Sequence, residues 1–310
     1  MLTYIIRRLL WIFLTMFFVS AVTFALIFVS PGDPALLLIG ARPGFQRDET
    51  LVPQVRKRFS LNEQIHIQYL KYMSNVVRGE FGYSYFFKRP VAELLFEKLP
   101  NTALLAALIL LTALLLGIPM GVLITVKQNS WIDQLYVIFG TVIISIPSFF
   151  LAELLIFLFA FTLRLFPIGG FGTPAHVVLP VLSVALPSSV GYALLLRTTM
   201  LTMLSTEYAR TARAKGLRER LVALRHVLPN ALIPIATTVA LDLAVYMTGI
   251  VLVETIFSWP GIGLAASRAA IQKDVPVIMG SVLFASLLIG LGNLLADLFA
   301  ARLDPRITLR

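Results

Sequence analysis

At 310 residues the chain has room for one large domain or two ordinary ones. Apolar residues make up 58% of it, charged residues 14%, and mean hydropathy is +0.87; soluble domains are nearer one quarter charged, so an ordinary soluble fold is excluded and lipid is the expected solvent. The net charge of +10 lies at the ends of apolar runs, not on one soluble surface, which speaks against nucleic acid as a partner, and the absence of cysteine excludes disulfides, thiolate metal sites and a cysteine nucleophile.

Arg7 and Arg8 precede an apolar run, Leu9–Val29, that is too long for a signal-peptide core and predicts a retained transmembrane helix. Five further runs are long enough to cross about 30 Å of hydrocarbon at about 1.5 Å per residue. They are Thr102–Val126, Leu135–Leu163, Val177–Leu196, Ala231–Val253 and Val277–Phe299. The prediction is an all-α polytopic membrane protein with six transmembrane helices, forming a single domain over residues 1–310. Pro180 and Pro187 interrupt the fourth run, which membrane helices tolerate where neighbours satisfy the freed carbonyls.

The short loops set the orientation. With the N-terminus inside, the cytoplasmic segments carry Arg7, Arg8, Lys127, Arg197, Arg210, Arg213, Lys215, Arg218, Arg220, Arg225, Arg302, Arg306 and Arg310, against Arg164, Arg268 and Lys273 outside. Both termini are therefore expected in the cytoplasm, and residues 31–100 outside it. Within that outer segment Ser60-Leu61-Asn62-Glu63 has the spacing of a capping box. Leu61, Ile65, Tyr69, Tyr72, Met73 and Val76 then recur at helical intervals, which predicts an amphipathic helix over about Leu61–Val77. A turn over Gly79–Ser84 and a short helix over Val91–Lys98 complete the segment.

Residues 205–229 form a basic cytoplasmic loop. Thr206 can cap a helix that begins at Glu207, whose carboxylate suits the N-terminal dipole, and continues through Tyr208, Ala209, Arg210, Thr211, Ala212, Arg213 and Ala214 to Lys215. Gly216 is a good C-terminal stop before Leu217, a second helix follows, and Pro229, after Leu228, marks entry to the fifth span. A helix–glycine–helix lying across the membrane face can pass motion from a docked partner to the spans it joins. A basic loop of this kind can equally serve to fix topology and bind anionic lipid.

Gly216, nine intervening residues, His226, Val227, Leu228 and Pro229 follow the spacing of the EAA loop of ABC-importer permeases, with Arg210, Thr211 and Ala212 at the E-A-A positions. Of those three only Ala212 matches, and His226 stands where the pattern has isoleucine. The run from Tyr208 to Leu217 nevertheless resembles the form this loop takes in dipeptide and oligopeptide permeases. Pro31-Gly32-Asp33-Pro34, Phe257-Ser258-Trp259-Pro260-Gly261-Ile262-Gly263 and Leu303-Asp304-Pro305-Arg306 resemble the same subfamily. The resemblance implies a type I ABC-importer permease fold in a bacterial or archaeal cytoplasmic membrane. It implies as partners a second permease subunit, two ABC ATPase subunits docked on the cytoplasmic loops, and an extracytoplasmic substrate-binding protein. ATP and Mg would be bound by the ATPases and no cofactor by this chain, in which no Gly-x4-Gly-Lys-Ser/Thr sequence occurs. Members of this subfamily carry dipeptides, oligopeptides, nickel chelates, glutathione or opines, and the permease sequence does not separate them.

Three carboxylates fall inside the predicted spans: Glu153, Asp242 and Asp297. A charge at mid-bilayer costs at least about 2.5 kcal/mol on insertion scales, so each should face water or a partner. Asp242, nearest the centre of its run, reads either as a pathway-lining group that meets a cationic part of the substrate or as one member of a structural pair. An ion-coupled secondary transporter that uses these carboxylates is the alternative to the importer reading; it leaves the glycine-broken basic loop unexplained. His66, His176 and His226 are isolated and read as ordinary loop residues.

Overall fold

The computed structural model describes residues 2–29, 35, 52–58 and 61–303. The helices of the first half are α1 (Leu2–Val29), α2 (Val52–Arg58), α3 (Ile65–Val77), α4 (Val91–Val126), α5 (Trp131–Ser145) and α6 (Ser148–Leu155), the last running into a π-helical stretch at Ile156–Thr162. The second half holds α7 (Ala175–Leu204), α8 (Glu207–Ala214), α9 (Glu219–Leu221), a π-helical turn at Val222–Val227, α10 (Leu228–Met247), α11 (Val251–Ile256), α12 (Ile262–Ile271) and α13 (Val275–Leu303). A two-residue antiparallel pair, β1 (Tyr83–Ser84) with β2 (Arg89–Pro90), places Tyr83 opposite Pro90. Among the described residues five helices are long and apolar enough to cross a membrane, and six if one bent pair is a single span.

That bent pair corrects the expectation of one straight helix over Leu135–Leu163. The axes of α5 and of α6 with its π extension differ by 99°. Pro147 is the cause. It lacks the N–H that would continue the ladder, and its ring forces Ile146 into extended backbone (φ −77°, ψ 123°). The fourth span is, by contrast, unbroken through Pro180 and Pro187 and longer than expected, Ala175–Leu204. The fifth ends early: α10 stops at Met247, and Gly249 takes a positive φ of 96° before the short α11. The predicted second outer helix, Val91–Lys98, is the first part of α4, continuous with the second span.

Contacts divide the chain into two compact units. The first comprises residues 1–103, 244–255 and 259–291. Its core joins Val91, Leu94 and Leu95 to Ile262, Ala269, Val277 and Phe284. Helix α3 packs on α1 through Tyr69, whose hydroxyl lies 2.8 Å from Ser20 Oγ and whose ring stands edge-on to Phe17 and Phe24, and through Tyr72, stacked on Phe24. The helix begins at Ile65, not Leu61. Residues 61–63 make a turn held by Gln68, whose amide donates to the Glu63 carbonyl at 2.7 Å. Gln64 occupies the cap position of α3, and Ser60 of the predicted capping box lies outside the described residues. Ile65, expected on the packed stripe, is 57% exposed.

The second unit comprises residues 104–243, 256–258 and 292–310. Helices α4 and α7 run side by side in the same direction. Gly117 meets Ser189 and, one turn on, Gly121 meets Ala193, so closely that a Cβ on Gly121 would stand 2.9 Å from the Ala193 carbonyl. Helix α5 runs antiparallel to α7, with Asp133 opposite Arg197 and Gly140 against Val190. Small residues permit these approaches, as is usual where helices pack in lipid. The segments Pro31–Pro34 and Asp304–Arg306, singled out above, lie outside the described residues.

Candidate functional site

Helix α8 is short because its sequence both starts and stops it. Glu207 sits in the first turn, Arg213 in the last, and Gly216 (φ +81°) follows the cap residue Lys215 and donates its N–H to the Arg213 carbonyl at 2.9 Å. The predicted stop is therefore where the chain turns. The start differs in one respect. Thr206 does hold the cap position in extended backbone, but its hydroxyl donates to the Met203 carbonyl at 2.6 Å and does not cap α8. It adds a second donor to the Met203 carbonyl, which already accepts the Thr206 N–H at 3.2 Å.

Ala209 and Ala212 face inward and pack with Leu196, Met200, Val222, Ala223, Val227, Ala231 and Ile235. Small side chains let the helix backbone lie close on α7. Arg213 ties the loop together: its guanidinium donates two bonds to the Glu219 carboxylate, 2.8 and 2.6 Å, and a third to the Leu204 carbonyl at 2.9 Å. The carboxylate beside it holds Arg213 all the more firmly charged. The outward face carries Glu207, Tyr208, Arg210, Thr211, Ala214 and Lys215, with Arg210 bonded to Glu207 at 2.9 Å. Leu217 and Leu228 pack against the core, while Pro229 is exposed. Pro229 does not open a new helix: the helix runs unbroken from Glu219 to Met247, through the π turn. Pro229 comes just after the π turn, and a π turn is where a helix ladder adjusts to the N–H that proline lacks.

Asp242 is half-buried and accepts a 2.6 Å hydrogen bond from the Tyr192 hydroxyl of α7. Because α10 ends at Met247, Asp242 stands near a helix end and not at the middle of a span. Glu153 is exposed, and Asp297 is half-buried.

Three carboxylate sites escaped the sequence reading. Asp133 accepts both Arg197 Nε and Nη2 at 2.7 Å. Glu254 is fully buried. It accepts the Thr102 hydroxyl at 2.8 Å and the N–H of Leu264 at 3.0 Å, while Thr102 Oγ1 accepts the N–H of Ile262. A carboxylate ten residues upstream thus caps α12, and a Cβ on Gly261 would fall on it. Burial raises the Glu254 pKa, and the bonds from Leu264, Thr102 and Gly263 offset part of that rise. Beside it Trp259 Nε1 donates to the Asn101 carbonyl, and the Asn101 amide to Pro260. Asp274, raised by burial, accepts the Ser84 hydroxyl and the Val277 N–H at the start of α13. For Asp133 a local signal existed: Ser130-x-x-Asp133, in which Ser130 caps α5 and Asp133 accepts the Asn129 N–H.

This arrangement of apolar helices is that of an ABC-transporter permease. The methionine ABC transporter MetNI, in inward-facing form, matches with a TM-score of 0.57 at 17% identity, covering 68% of this chain and 96% of that one. An amino acid ABC transporter with histidines matches with a TM-score of 0.52 at 18% identity, over 68% and 94%. The sequence is more specific. Residues 113–309 match the family described as binding-protein-dependent transport system inner membrane component, and residues 1–106 match its N-terminal companion. The chain belongs to this family and is a membrane-spanning permease subunit of a binding-protein-dependent ABC importer. It is 36% identical to the oligopeptide transport system permease protein AppB of Bacillus subtilis (strain 168), over 99% of both chains. It is 35% identical to the glutathione transport system permease protein GsiC of Escherichia coli (strain K12), again over 99% of both.

Proposed function

We propose that this chain forms half of the translocation pathway of an importer for peptides or a related small solute. It works with a second permease subunit, two ABC ATPases that bind ATP and Mg, and an extracytoplasmic binding protein. The whole-length likeness to an oligopeptide and a glutathione permease supports the substrate class. Both termini lie in the cytoplasm, residues 31–100 lie outside, and residues 205–229 form the ATPase-coupling loop.

The observation that carries the mechanism is the Arg213 clamp. A helix seated on the permease core by Ala209 and Ala212, and tied at one end to Glu219 and Leu204, moves as one piece with α7. ATPase closure acts on its outward face, Glu207 to Lys215, and shifts the population of pathway conformations open to either side. Asp242, held by Tyr192, lines that pathway and meets positive charge on the solute.

The test is reconstitution. The chain co-expressed with its partner permease, ATPases and binding protein should purify as one complex and drive ATP-dependent uptake of labelled glutathione or of a short peptide. Single cysteines in this cysteine-free chain check the orientation: an impermeant thiol reagent on intact cells should label Asn75→Cys and spare Arg220→Cys. The opposite pattern overturns it.

A further inference from the structure

The ion pair between α5 and α7 has a position that its strength alone does not explain. Asp133 is 4% exposed and Arg197 24%. The pairing is two-pronged, and Asp133 Oδ2 accepts in addition the Asn129 N–H at 2.9 Å. Every oxygen of the carboxylate is thus engaged, and the planar guanidinium fork leaves the pair little freedom to rotate.

Arg197 stands on α7 between Leu196 and Met200. Both of these belong to the core on which Ala209 and Ala212 of α8 rest. The same short stretch of α7 therefore touches α8 through apolar contacts and α5 through charge. Two turns further along α5, Gly140 lies against Val190, close enough that a Cβ would stand 2.7 Å from Val190 Cγ1. Helix α5 is fixed to α7 at both points. Beyond Ile146–Pro147 the chain turns by 99° into α6.

From this arrangement we infer that the Asp133–Arg197 pair is a strut that carries displacement of the 207–214 helix into the first turns of α5, so that this end of α5 moves with α7 and α8. Asp133 and Arg197 are then positioning residues for transport. The inference rests on the reading of residues 207–214 as the element the ATPases act upon. Lysine at position 197 would keep the charge but lose the fork, so Arg197→Lys tests geometry apart from charge.

The experiment is pulsed electron paramagnetic resonance on the complete importer, with spin-labelled cysteines at Ser205 and Gln134, both exposed. Distances are read without nucleotide and with Mg-ATP and vanadate. With the native pair, the 205–134 distance should stay constant. With Asp133→Asn or Arg197→Lys, the resting distance should be retained and the 205–134 distance should now shift with nucleotide. Uptake of labelled glutathione per ATP hydrolysed should fall about tenfold, the factor that one charge-assisted hydrogen bond represents. A 205–134 distance that stays constant in both variants overturns the strut. If both variants fail to assemble, the pair is an assembly anchor and the strut is again wrong. If, with the native pair, Tyr208→Cys is labelled by a thiol reagent equally with and without the bound ATPases, the underlying reading of the 207–214 helix fails, an outcome distinct from the other two.

Discussion

Removing the Glu254 carboxylate should loosen the first unit without touching any apolar contact between its helices. In Glu254→Ala, the N–H groups of Leu264 and Gly263 and the Thr102 hydroxyl lose their acceptor at a fully buried site. Each stranded donor costs about 1–3 kcal/mol, and removal of a buried charge returns part of its desolvation, so a net loss of about 3 kcal/mol is expected. Glu254→Gln keeps the shape: its amide oxygen accepts the N–H groups and its nitrogen can donate to Thr102, so about 1 kcal/mol is expected. The assay is thermal unfolding of the purified complex, followed by size exclusion, across a pH series. By the size scaling of melting temperature, alanine should lower the transition by about 5–10 °C and glutamine by about 2–4 °C. The pH dependence has a defined sign. Because burial raises the Glu254 pKa, the folded chain keeps this proton to higher pH than the unfolded one. The site's contribution is therefore greatest below the ordinary glutamate value of 4.5, declines as pH rises from there to the raised value, and is flat above it. Glutamine should abolish that decline. An alanine variant as stable as the native chain, or a glutamine variant with an unchanged pH profile, would refute the capping argument.

Gly216→Val adds a Cβ that meets nothing within 4 Å, so its cost comes from the backbone, φ +81°, and amounts to about 1–2 kcal/mol. The variant should insert and assemble but lose coupled uptake; unchanged uptake would show that the turn does not aim the helix. Ile65→Asp should be nearly neutral in unfolding assays, within about 0.5 kcal/mol, because Ile65 is 57% exposed. Tyr69→Ala, which loses the Ser20 bond and two ring contacts on α1, should instead cost about 2 kcal/mol. Asp242→Asn should weaken the Tyr192 bond by about 1 kcal/mol and reduce uptake with the complex intact; normal uptake would remove Asp242 from the pathway.

The sequence by itself determined the fold class, the number of apolar runs and the position of the loop that carries the family pattern. These depend on local quantities. Run length against bilayer thickness marks Thr102–Val126 as a span whatever it packs against, and Gly216 ends a helix because only the residue at the turn must tolerate positive φ. The tertiary structure decided what each polar group does. Thr206 is placed to cap α8, yet its hydroxyl donates into the last turn of α7, because its orientation is set by the nearby Met203 carbonyl. Ile65 fits the apolar period but faces outward, because α1 accepts only the tyrosines on the neighbouring face. Glu254 is unremarkable in the sequence, since the donors it serves lie 152 residues before it and 10 after it. Asp133 and Arg197, 64 residues apart, meet only once α5 has doubled back antiparallel to α7. Hydrophobic length is additive along the chain and can be read from it; pairing of buried charges depends on which helix faces which, and that is known only after packing.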